Sequence, residues 1–336
     1  MSLVALDREG VRKALLDWFV REGRVYPWRV TTDPWYILVS EIMLQQTTIP
    51  TVLGRYDAWM RQFPTPMDLA NASEEEALRS WEGLGYYRRV RSLRAIAQAV
   101  VEQYGGVFPS DAKALMQLPG IGEYTCGAVL SFAFNIPAPI VDANVSRVIA
   151  RLNNFCDSVD STVGKKYMWA QAAEMVDPVN PRIFNSAIME LGQTYCKPQG
   201  ADCLLCPVRA FCRAVDPDSL PVKNPKPEVT RKSHHDILYV TQGKILLARM
   251  EDGRHVGMYR FPVRSEAEVA GLPLLLKQSY SVTRYKMTRY LYGVSSPVEL
   301  HEGESFISID DLDSLPMPSP DRKALGVPLV NRALKS

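Results

Sequence analysis

The amino-acid sequence predicts a two-domain chain, in which an all-helical module is followed by a smaller module of mixed helix and strand. Apolar residues recur at helical spacing to about residue 216, whereas the shorter runs typical of strands follow residue 232. A proline-rich segment, residues 217–232, separates the two patterns. With 336 residues, the chain is long enough for two domains that each have a core.

The first module is a series of apolar patterns with the period of an α-helix, separated by short segments that often contain proline. Helices are predicted at residues 8–20, 35–45, 73–80, 88–104, 111–117, 123–134, 143–155 and 165–176. We expect them to form two lobes. A six-helix lobe covers about residues 27–141, and a second lobe joins residues 1–26 to residues 142–216.

The predicted linker, residues 217–232, contains four prolines and four basic residues, which is typical of an extended, semi-rigid segment. Beyond it the hydrophobic period changes to that of strands. Short strands are predicted within His235–Tyr239, Lys244–Arg249, Tyr280–Val294 and Ser305–Ile309, and a final helix near Ser319–Leu325. The second domain, residues 233–336, is therefore expected to be a small α/β domain.

The composition is that of an ordinary soluble protein, with 46% hydrophobic and 23% charged residues. The first residues become charged at position 7 and contain no long apolar run, which argues against a signal peptide or a membrane span. The net charge of +2 neither requires nor excludes a nucleic-acid partner. We expect a cytoplasmic protein.

Four cysteines have the spacing C-x6-C-x2-C-x5-C: Cys196, Cys203, Cys206 and Cys212. Four thiolates in one loop can hold an iron–sulfur cluster, because each iron takes a soft sulfur ligand. A disulfide pair or a structural zinc ion are the alternatives. Disulfides are disfavoured without a secretory signal, and zinc ribbons usually pair two short C-x2-C turns, so the spacing favours the cluster. The two further cysteines, Cys126 and Cys156, fit a reducing compartment.

The run Leu118–Gly122, with the sequence LPGIG, lies between two predicted helices. Gly120 and Gly122 permit positive φ and a close approach of the backbone, and the helix that follows begins with unpaired N–H groups. This combination suits a phosphate of a DNA backbone. A plain helix-to-helix turn would explain the same residues.

The order of the segments LPGIG, VDANVSRV and the cysteine loop resembles the helix-hairpin-helix DNA glycosylases that carry a [4Fe-4S] cluster. Within that superfamily, YPWR (Tyr26–Arg29), SEIMLQQT (Ser40–Thr47) and GLGYYRR (Gly83–Arg89) resemble the MutY-type adenine glycosylases. The resemblance covers about residues 18–216. In the second domain, GMYRFP (Gly257–Pro262) and PSPDRKAL (Pro318–Leu325) resemble, more weakly, the Nudix-like domain of the MutY type.

The resemblance implies a base-excision-repair enzyme that flips a mispaired base out of double-stranded DNA and hydrolyses its N-glycosidic bond. It implies adenine opposite 8-oxoguanine or guanine as the substrate, and one [4Fe-4S] cluster as the cofactor. We expect a monomer associated with the nucleoid, with no membrane partner and no nucleotide cofactor. The glutamate cluster of a hydrolytic Nudix helix is absent from the sequence, so we expect the second domain to recognise DNA without cleaving pyrophosphates.

Cleavage of a glycosidic bond requires an acid for the leaving base and an anion beneath the sugar. Glu41 stands in an apolar run, and burial there would raise its pKa and keep a proton available. A structural carboxylate with a buried partner is the alternative interpretation of Glu41. Asp142 could simply cap the helix at Ala143, a role compatible with the sugar-stabilising role that the resemblance implies. Asn144 resembles the asparagine that assists there.

Tyr124 follows the glycine hairpin, at a position where lyase-competent relatives have lysine. A phenol cannot form the imine that a lysine amine forms with C1′. We therefore predict a monofunctional glycosylase that leaves an abasic site. The alternative is that Tyr124 is only a packing aromatic residue.

Further positions match segments that bind DNA in the family. Gln45, Gln46 and Tyr86 resemble the residues that fill the gap left by a flipped base. Arg24, Trp28 and Arg29 resemble residues lining the base pocket, and Leu44 and Thr47 belong to the same motif as the two glutamines. Arg88 and Arg91 share a helix face suited to phosphates, although a solvated face explains them equally well.

Three departures from the family concern which base is cut. Ser186 stands where adenine-cutting relatives usually have glutamine or glutamate, and Ile49 stands where they usually have valine. In the second domain, Thr283 and Arg284 occupy the place of a Phe-Ser-His turn. Loss of a hydrogen-bond partner can change discrimination by roughly 1–3 kcal/mol. These departures favour, as an alternative, a glycosylase for thymine, or another altered pyrimidine, opposite guanine. A catalytically silent DNA-binding or redox-sensing scaffold is a further alternative, of a different class.

Overall fold

A computed structural model of the chain describes residues 6–225 and 227–335. Residues 1–5 of the predicted first domain, residue 226 of the predicted linker and residue 336 of the predicted second domain lie outside the described residues. The chain folds into two compact units. The first comprises the described residues of Met1–Ala70 and Ala95–Pro225, and the second those of Asn71–Arg94 and Lys226–Ser336.

The helical part has eleven α-helices among the described residues: α1 (Arg8–Glu22), α2 (Pro34–Leu44), α3 (Ile49–Gln62), α4 (Pro66–Asn71), α5 (Glu74–Ser80), α6 (Arg88–Tyr104), α7 (Ala112–Gln117), α8 (Glu123–Phe132), α9 (Ala143–Asn153), α10 (Thr162–Met175) and α11 (Pro181–Thr194). All eight helices predicted from periodicity are present. Helices α3, α4 and α11 were not predicted, because the prolines at or near their starts resemble loop punctuation. A proline in the first turn is in fact compatible with a helix start, since its missing N–H has no partner there anyway.

Helices α9 and α11 form much of the hydrophobic core of the first unit, together with α1 and α10. Ile149 of α9 and Leu191 of α11 are fully buried in it, as are Val11 and Leu15 of α1. Helix α2 is buried along most of its length, from Trp35 to Met43. A polar side chain in the middle of α2 is therefore removed from water.

The second unit contains a mixed sheet. Its strands are β1 (Thr230–Thr241), β2 (Lys244–Arg249), β3 (Tyr259–Arg260), β4 (Val263–Arg264), β5 (Leu274–Val282), β6 (Tyr285–Val294) and β7 (Glu304–Ser308). Strands lie in the order β3-β2-β1-β6-β5, with β4 paired to β1 and β7 paired to β2. Only β1 and β6 run parallel among these described strands; the other pairs are antiparallel. The order of the two domains, a helical one followed by a smaller one of sheet and helix, is confirmed.

Three details of the second unit differ from the sequence prediction. The segment Tyr280–Val294 contains the end of β5, a turn at Thr283 and Arg284, and all of β6. Residues 230–232 of the predicted linker belong to β1, where β6 supplies their hydrogen-bond partners. Helix α12 (Ser319–Leu325) is followed by a further helix, α13 (Pro328–Lys335). None of the described helices combines the length and apolar character needed to cross a bilayer.

Candidate active site

A cavity of about 510 Å³ opens within the first unit, between the ends of α2, α8, α9 and α11. Most residues predicted for catalysis and base binding line it: Trp28, Arg29, Glu41, Leu44, Gln45, Gln46, Thr47, Ile49, Tyr124, Asp142, Asn144 and Ser186. These residues come from five separate parts of the chain, and the packing of the helices brings them together.

Glu41 lies on the cavity side of α2 and is only 5% exposed. Burial raises its pKa from an ordinary 4.5 to about 7, with a further contribution from the nearby charge of Asp142. The Tyr124 hydroxyl donates a hydrogen bond of 2.7 Å to Glu41 Oε2, which opposes the rise, as does the Arg29 charge. Glu41 can therefore carry a proton near neutral pH.

Asp142 is the N-cap of α9 and also faces the cavity. Its Oδ1 accepts a hydrogen bond of 2.7 Å from the backbone N–H of Val145, and its Oδ2 accepts one of 2.9 Å from the side chain of Asn144. Burial raises its pKa above the ordinary value, and these hydrogen bonds counteract the rise. The cap and the cavity-facing carboxylate are the same group, so the helix start holds it rigidly.

Arg147, which the sequence analysis did not single out, connects this region to the cysteine loop. Its Nη2 donates to Asn144 Oδ1 at 2.8 Å and to the backbone oxygen of Gly192 at 2.6 Å. Its Nε donates to the backbone oxygen of Cys196 at 2.7 Å. Arg147 is 4% exposed. Its position three residues after Asn144 on one helix was the signal that could have found it.

Arg29 is held against the cavity by a second residue that the sequence analysis missed, Glu190 of α11. The two form a buried ion pair, and Arg29 also donates to the backbone oxygen of Arg24 at 2.9 Å. Trp28 stacks on Tyr26, with ring centroids 5.2 Å apart. The side chain of Arg24 is exposed and does not line the cavity, although its backbone N–H donates to Glu190 at 3.0 Å.

The backbone of Gln46, a residue predicted to fill the gap in the duplex, is left-handed, with φ of 57°. The same holds for two other predicted DNA contacts, Tyr86 (48°) and Thr283 (54°), which belong to the second unit. Such a conformation costs roughly 1–3 kcal/mol for a residue with a side chain, and it is common at functional sites.

The remaining predicted DNA contacts lie outside the cavity. Gly120 has φ of 80° in the turn before α8, and Gly122 is the N-cap of that helix; both are exposed. Arg88 is exposed at the start of α6, whereas Arg91 pairs with Glu74 at 2.6 Å. In the second unit, the Thr283 hydroxyl accepts a hydrogen bond of 3.1 Å from Arg254, and Arg284 is exposed.

One face of α11 adds cavity residues that the sequence analysis missed, because the helix itself was not predicted. Arg182, Met189 and Gln193 line the cavity together with Ser186. The spacing of four, three and four residues along this set is that of a single helix face. Burial lowers the pKa of Arg182, whose Nη2 donates to the backbone oxygen of Ala133 at 3.0 Å.

The four predicted ligand cysteines line a second cavity, of about 310 Å³: Cys196, Cys203, Cys206 and Cys212. The pKa of the Cys206 thiol is raised to about 12, chiefly by burial and in smaller part by the charges of the other three cysteines. Bound iron would offset this penalty, because metal ligation favours thiolates. The residues around the cavity therefore fit a cluster.

No three His, Cys, Asp or Glu side chains among residues 6–225 and 227–335 stand close enough to hold a metal ion. The four cysteines nevertheless share one cavity.

Residues 39–168 match the HhH-GPD superfamily of base excision DNA repair proteins. The fold also superposes on the structure of a thermostable thymine-DNA glycosylase with a TM-score of 0.56 and 31% sequence identity, covering 61% of this chain and 94% of that one. The chain belongs to this superfamily. A second structure, of endonuclease III in a non-covalent complex with DNA, superposes with a TM-score of 0.52 and 27% identity, covering 62% of this chain and 96% of that one.

Within the superfamily, the chain is 44% identical to the human adenine DNA glycosylase over 212 residues. This match covers 60% of this chain and 39% of the length of the human protein. The resemblance to the MutY-type adenine glycosylases, predicted from the segments YPWR, SEIMLQQT and GLGYYRR, is confirmed.

Proposed function

We propose that the protein is a monofunctional DNA glycosylase of base excision repair, which removes adenine opposite 8-oxoguanine or guanine. The observation that carries the proposal is the shared cavity of Glu41 and Asp142, in which burial gives Glu41 a pKa of about 7. An acid and an anion in one cavity are what N-glycosidic cleavage requires. The similarity to the human adenine DNA glycosylase supports adenine as the base.

In the proposed reaction, Glu41 gives its proton to a ring nitrogen of the flipped base. The bond between C1′ and the base nitrogen breaks, and its electron pair leaves with the base. Asp142 faces the cationic sugar and stabilises it, while Asn144 holds the carboxylate in position through the hydrogen bond of 2.9 Å. Water then adds to C1′, and its proton returns to the Glu41 carboxylate. The product is an abasic site.

Tyr124 is assigned to orienting Glu41, not to attacking the sugar. Its phenol donates to Glu41, and burial raises the pKa of Tyr124 well above its ordinary value, so the phenol stays protonated. Among the described residues that line the cavity, none carries a primary amine. Borohydride treatment of the protein with substrate duplex should therefore trap no covalent complex, and efficient trapping would contradict the monofunctional assignment.

We propose that the duplex lies against the exposed Gly120 and Gly122. Helix α8 begins directly after them and offers N–H groups to a phosphate. Gln45, Gln46 and Tyr86 take the place of the flipped nucleotide, and Arg88 and Arg91 contact phosphates. Residues 233–336 are proposed to form a Nudix-like domain that recognises the opposite strand through Thr283 and Arg284. The protein would act as a monomer on mispaired double-stranded DNA.

One [4Fe-4S] cluster is the proposed cofactor, held by the four cysteines of the loop from Cys196 to Cys212. When bound, the cluster stabilises this loop. Arg151 supports the ligand set, because its Nη1 donates to Cys196 Sγ at 3.2 Å and to the backbone oxygen of Lys197 at 2.7 Å. Iron and sulfide analysis of the purified protein, with a brown colour, tests this assignment; zinc in place of iron would contradict it.

A second candidate is a glycosylase for thymine opposite guanine. Ser186 favours it, because a short hydroxyl lines the cavity where adenine-cutting relatives usually have a longer side chain. The 31% identity to a thymine-DNA glycosylase over 94% of its chain points in the same direction.

Single-turnover base release decides between these functions. Duplexes should pair A, T, U or C with guanine or with 8-oxoguanine, and the Glu41→Gln protein is the control. We expect wild type to release adenine fastest, and Glu41→Gln to bind the duplex but release no base. Faster release of thymine would favour the second candidate. Equal inactivity of wild type and Glu41→Gln on every duplex would favour a silent DNA-binding scaffold.

A further inference from the structure

The face of α11 that lines the cavity carries a polar group that the proposed reaction does not use. Gln193 lies at the end of this face, and its Oε1 atom is buried without a hydrogen-bond partner among the described residues. A buried acceptor left unpaired costs about 1–3 kcal/mol. Such a cost beside a catalytic site indicates that the partner is a ligand that enters the cavity.

The position of Gln193 along α11 places it beside the sugar-facing carboxylate. A Cβ atom added to its neighbour Gly192 would lie 2.7 Å from the Cβ of Asn144, so α11 and the start of α9 approach closely here. Asn144 in turn donates to Asp142. Helical side chains lean toward the N-terminus of their helix, and Met189 and Ser186 lie in that direction from Gln193.

We propose that Gln193 is a specificity-determining residue, whose amide reads the polar edge of the excised purine. The terminal amide carries a donor and an acceptor side by side, and half a turn about its last bond exchanges them. Adenine presents a matching acceptor and amino donor, and amide side chains pair with it in this way. Ser186, on the same helix face, is too short to make both contacts. This inference rests on the proposed function.

Arg182, at the other end of the same face, also has a buried atom, Nε, with no hydrogen-bond partner among the described residues. It lies eleven residues from Gln193 along the helix, which corresponds to about 16 Å. One base cannot span that distance, so Arg182 does not share this role.

The test is the substitution Gln193→Met, which keeps the length of the side chain and removes the amide. We expect single-turnover release of adenine to slow about ten- to hundredfold, the effect of two lost hydrogen bonds, and the preference for adenine over thymine to shrink by the same factor. The melting temperature should stay equal or rise, because an unpaired acceptor has been removed. Gln103→Met, on the exposed surface of α6, is the matched control and should change none of these values.

An amide introduced at position 186 tests whether Gln193 recognises the base or only supports the fold. In the Gln193→Met background, Ser186→Gln should restore most of the lost rate and preference. A wild-type rate and preference in Gln193→Met would overturn the inference. A lower melting temperature without rescue by Ser186→Gln would also overturn it, because it would assign Gln193 a structural role.

A binding measurement keeps this inference distinct from the proposed function. In Glu41→Gln protein, which retains the bound base, Gln193→Met should weaken affinity for duplexes with adenine opposite guanine, but not for those with thymine there. Inactivity of the wild-type protein on all duplexes would contradict the proposed function alone, and the affinity difference would still decide the role of Gln193. Equal affinities of Glu41→Gln and of the double variant Glu41→Gln/Gln193→Met for the adenine duplex would refute the proposed role of Gln193.

Discussion

The phenol of Tyr124 donates a hydrogen bond of 2.7 Å to Oε2 of Glu41, between residues 83 positions apart in the sequence. This bond sets the acidity of the group on which the proposed chemistry depends. Donation to the carboxylate favours its charged form, so the hydrogen bond lowers the pKa that burial raises. Burial is the largest effect, and the charges of Asp142, which raises the pKa, and of Arg29, which lowers it, also contribute to the value of about 7.

Tyr124→Phe should move the alkaline limb of the pH–rate profile to higher pH. In wild type, base release should fall above about pH 7, roughly tenfold per pH unit, because Glu41 loses its proton. Without the phenol, the pKa of Glu41 rises further and the protonated form persists to higher pH. Single-turnover rates between about pH 6 and pH 9 measure the shift, with Tyr167→Phe on α10 as the control. A limb at unchanged or lower pH would contradict this account.

Glu41→Gln should change how stability depends on pH. Below the ordinary pKa of 4.5, folded and unfolded wild type both keep the proton on Glu41. Between 4.5 and about 7 only the folded state keeps it, so this stabilising contribution is lost as pH rises through the folded pKa. The loss is about 3 kcal/mol at most.

The amide introduced by the substitution does not titrate, so the free energy of unfolding of the variant should increase relative to wild type from about pH 5 to about pH 7.5 and then level off. Urea unfolding across this range provides the measurement, and parallel pH profiles for the two proteins would refute the prediction.

Arg147→Met should destabilise the protein and slow base release together. The substitution removes the side-chain donor to four acceptors: the backbone oxygens of Ala143, Gly192 and Cys196 and the side-chain oxygen of Asn144. Each buried acceptor that is left unpaired costs about 1–3 kcal/mol. Urea unfolding and single-turnover release test both effects. Arg12→Met, which removes hydrogen bonds to the backbone at the end of α10, is the control and should leave the release rate unchanged. Normal release by Arg147→Met would exclude the proposed positioning of Asn144.

Gln46→Gly should separate backbone strain from function. Glycine adopts the left-handed conformation of residue 46 without a steric cost, so the free energy of unfolding should stay equal or rise by up to about 1 kcal/mol. Base release from duplex DNA should nevertheless slow, because the amide that fills the gap is lost. Gln242→Gly, at a left-handed position in the turn between β1 and β2, should have a similar effect on stability and none on release. Undiminished release by Gln46→Gly would remove Gln46 from the proposed mechanism.

The features that sequence reasoning found are those set by short-range patterns. Helical periodicity predicted α6 with both of its ends, and the apolar run around Glu41 predicted a buried carboxyl group, because both depend on neighbours a few residues away. The spacing of the cysteines likewise pointed to one shared site. The LPGIG segment predicted the turn between α7 and α8 from the special freedom of its glycines.

The tertiary structure alone decided which distant side chains share the cavity and how they are held. The ion pair of Arg29 with Glu190 joins residues 161 positions apart, and the hydrogen bond of Arg147 to Cys196 joins residues 49 apart. No local pattern encodes such pairs, since they depend on how whole helices pack. Helix α11 shows the same limit: its proline start hid it from the sequence analysis, and only its packing against α9 placed Gln193 at the cavity.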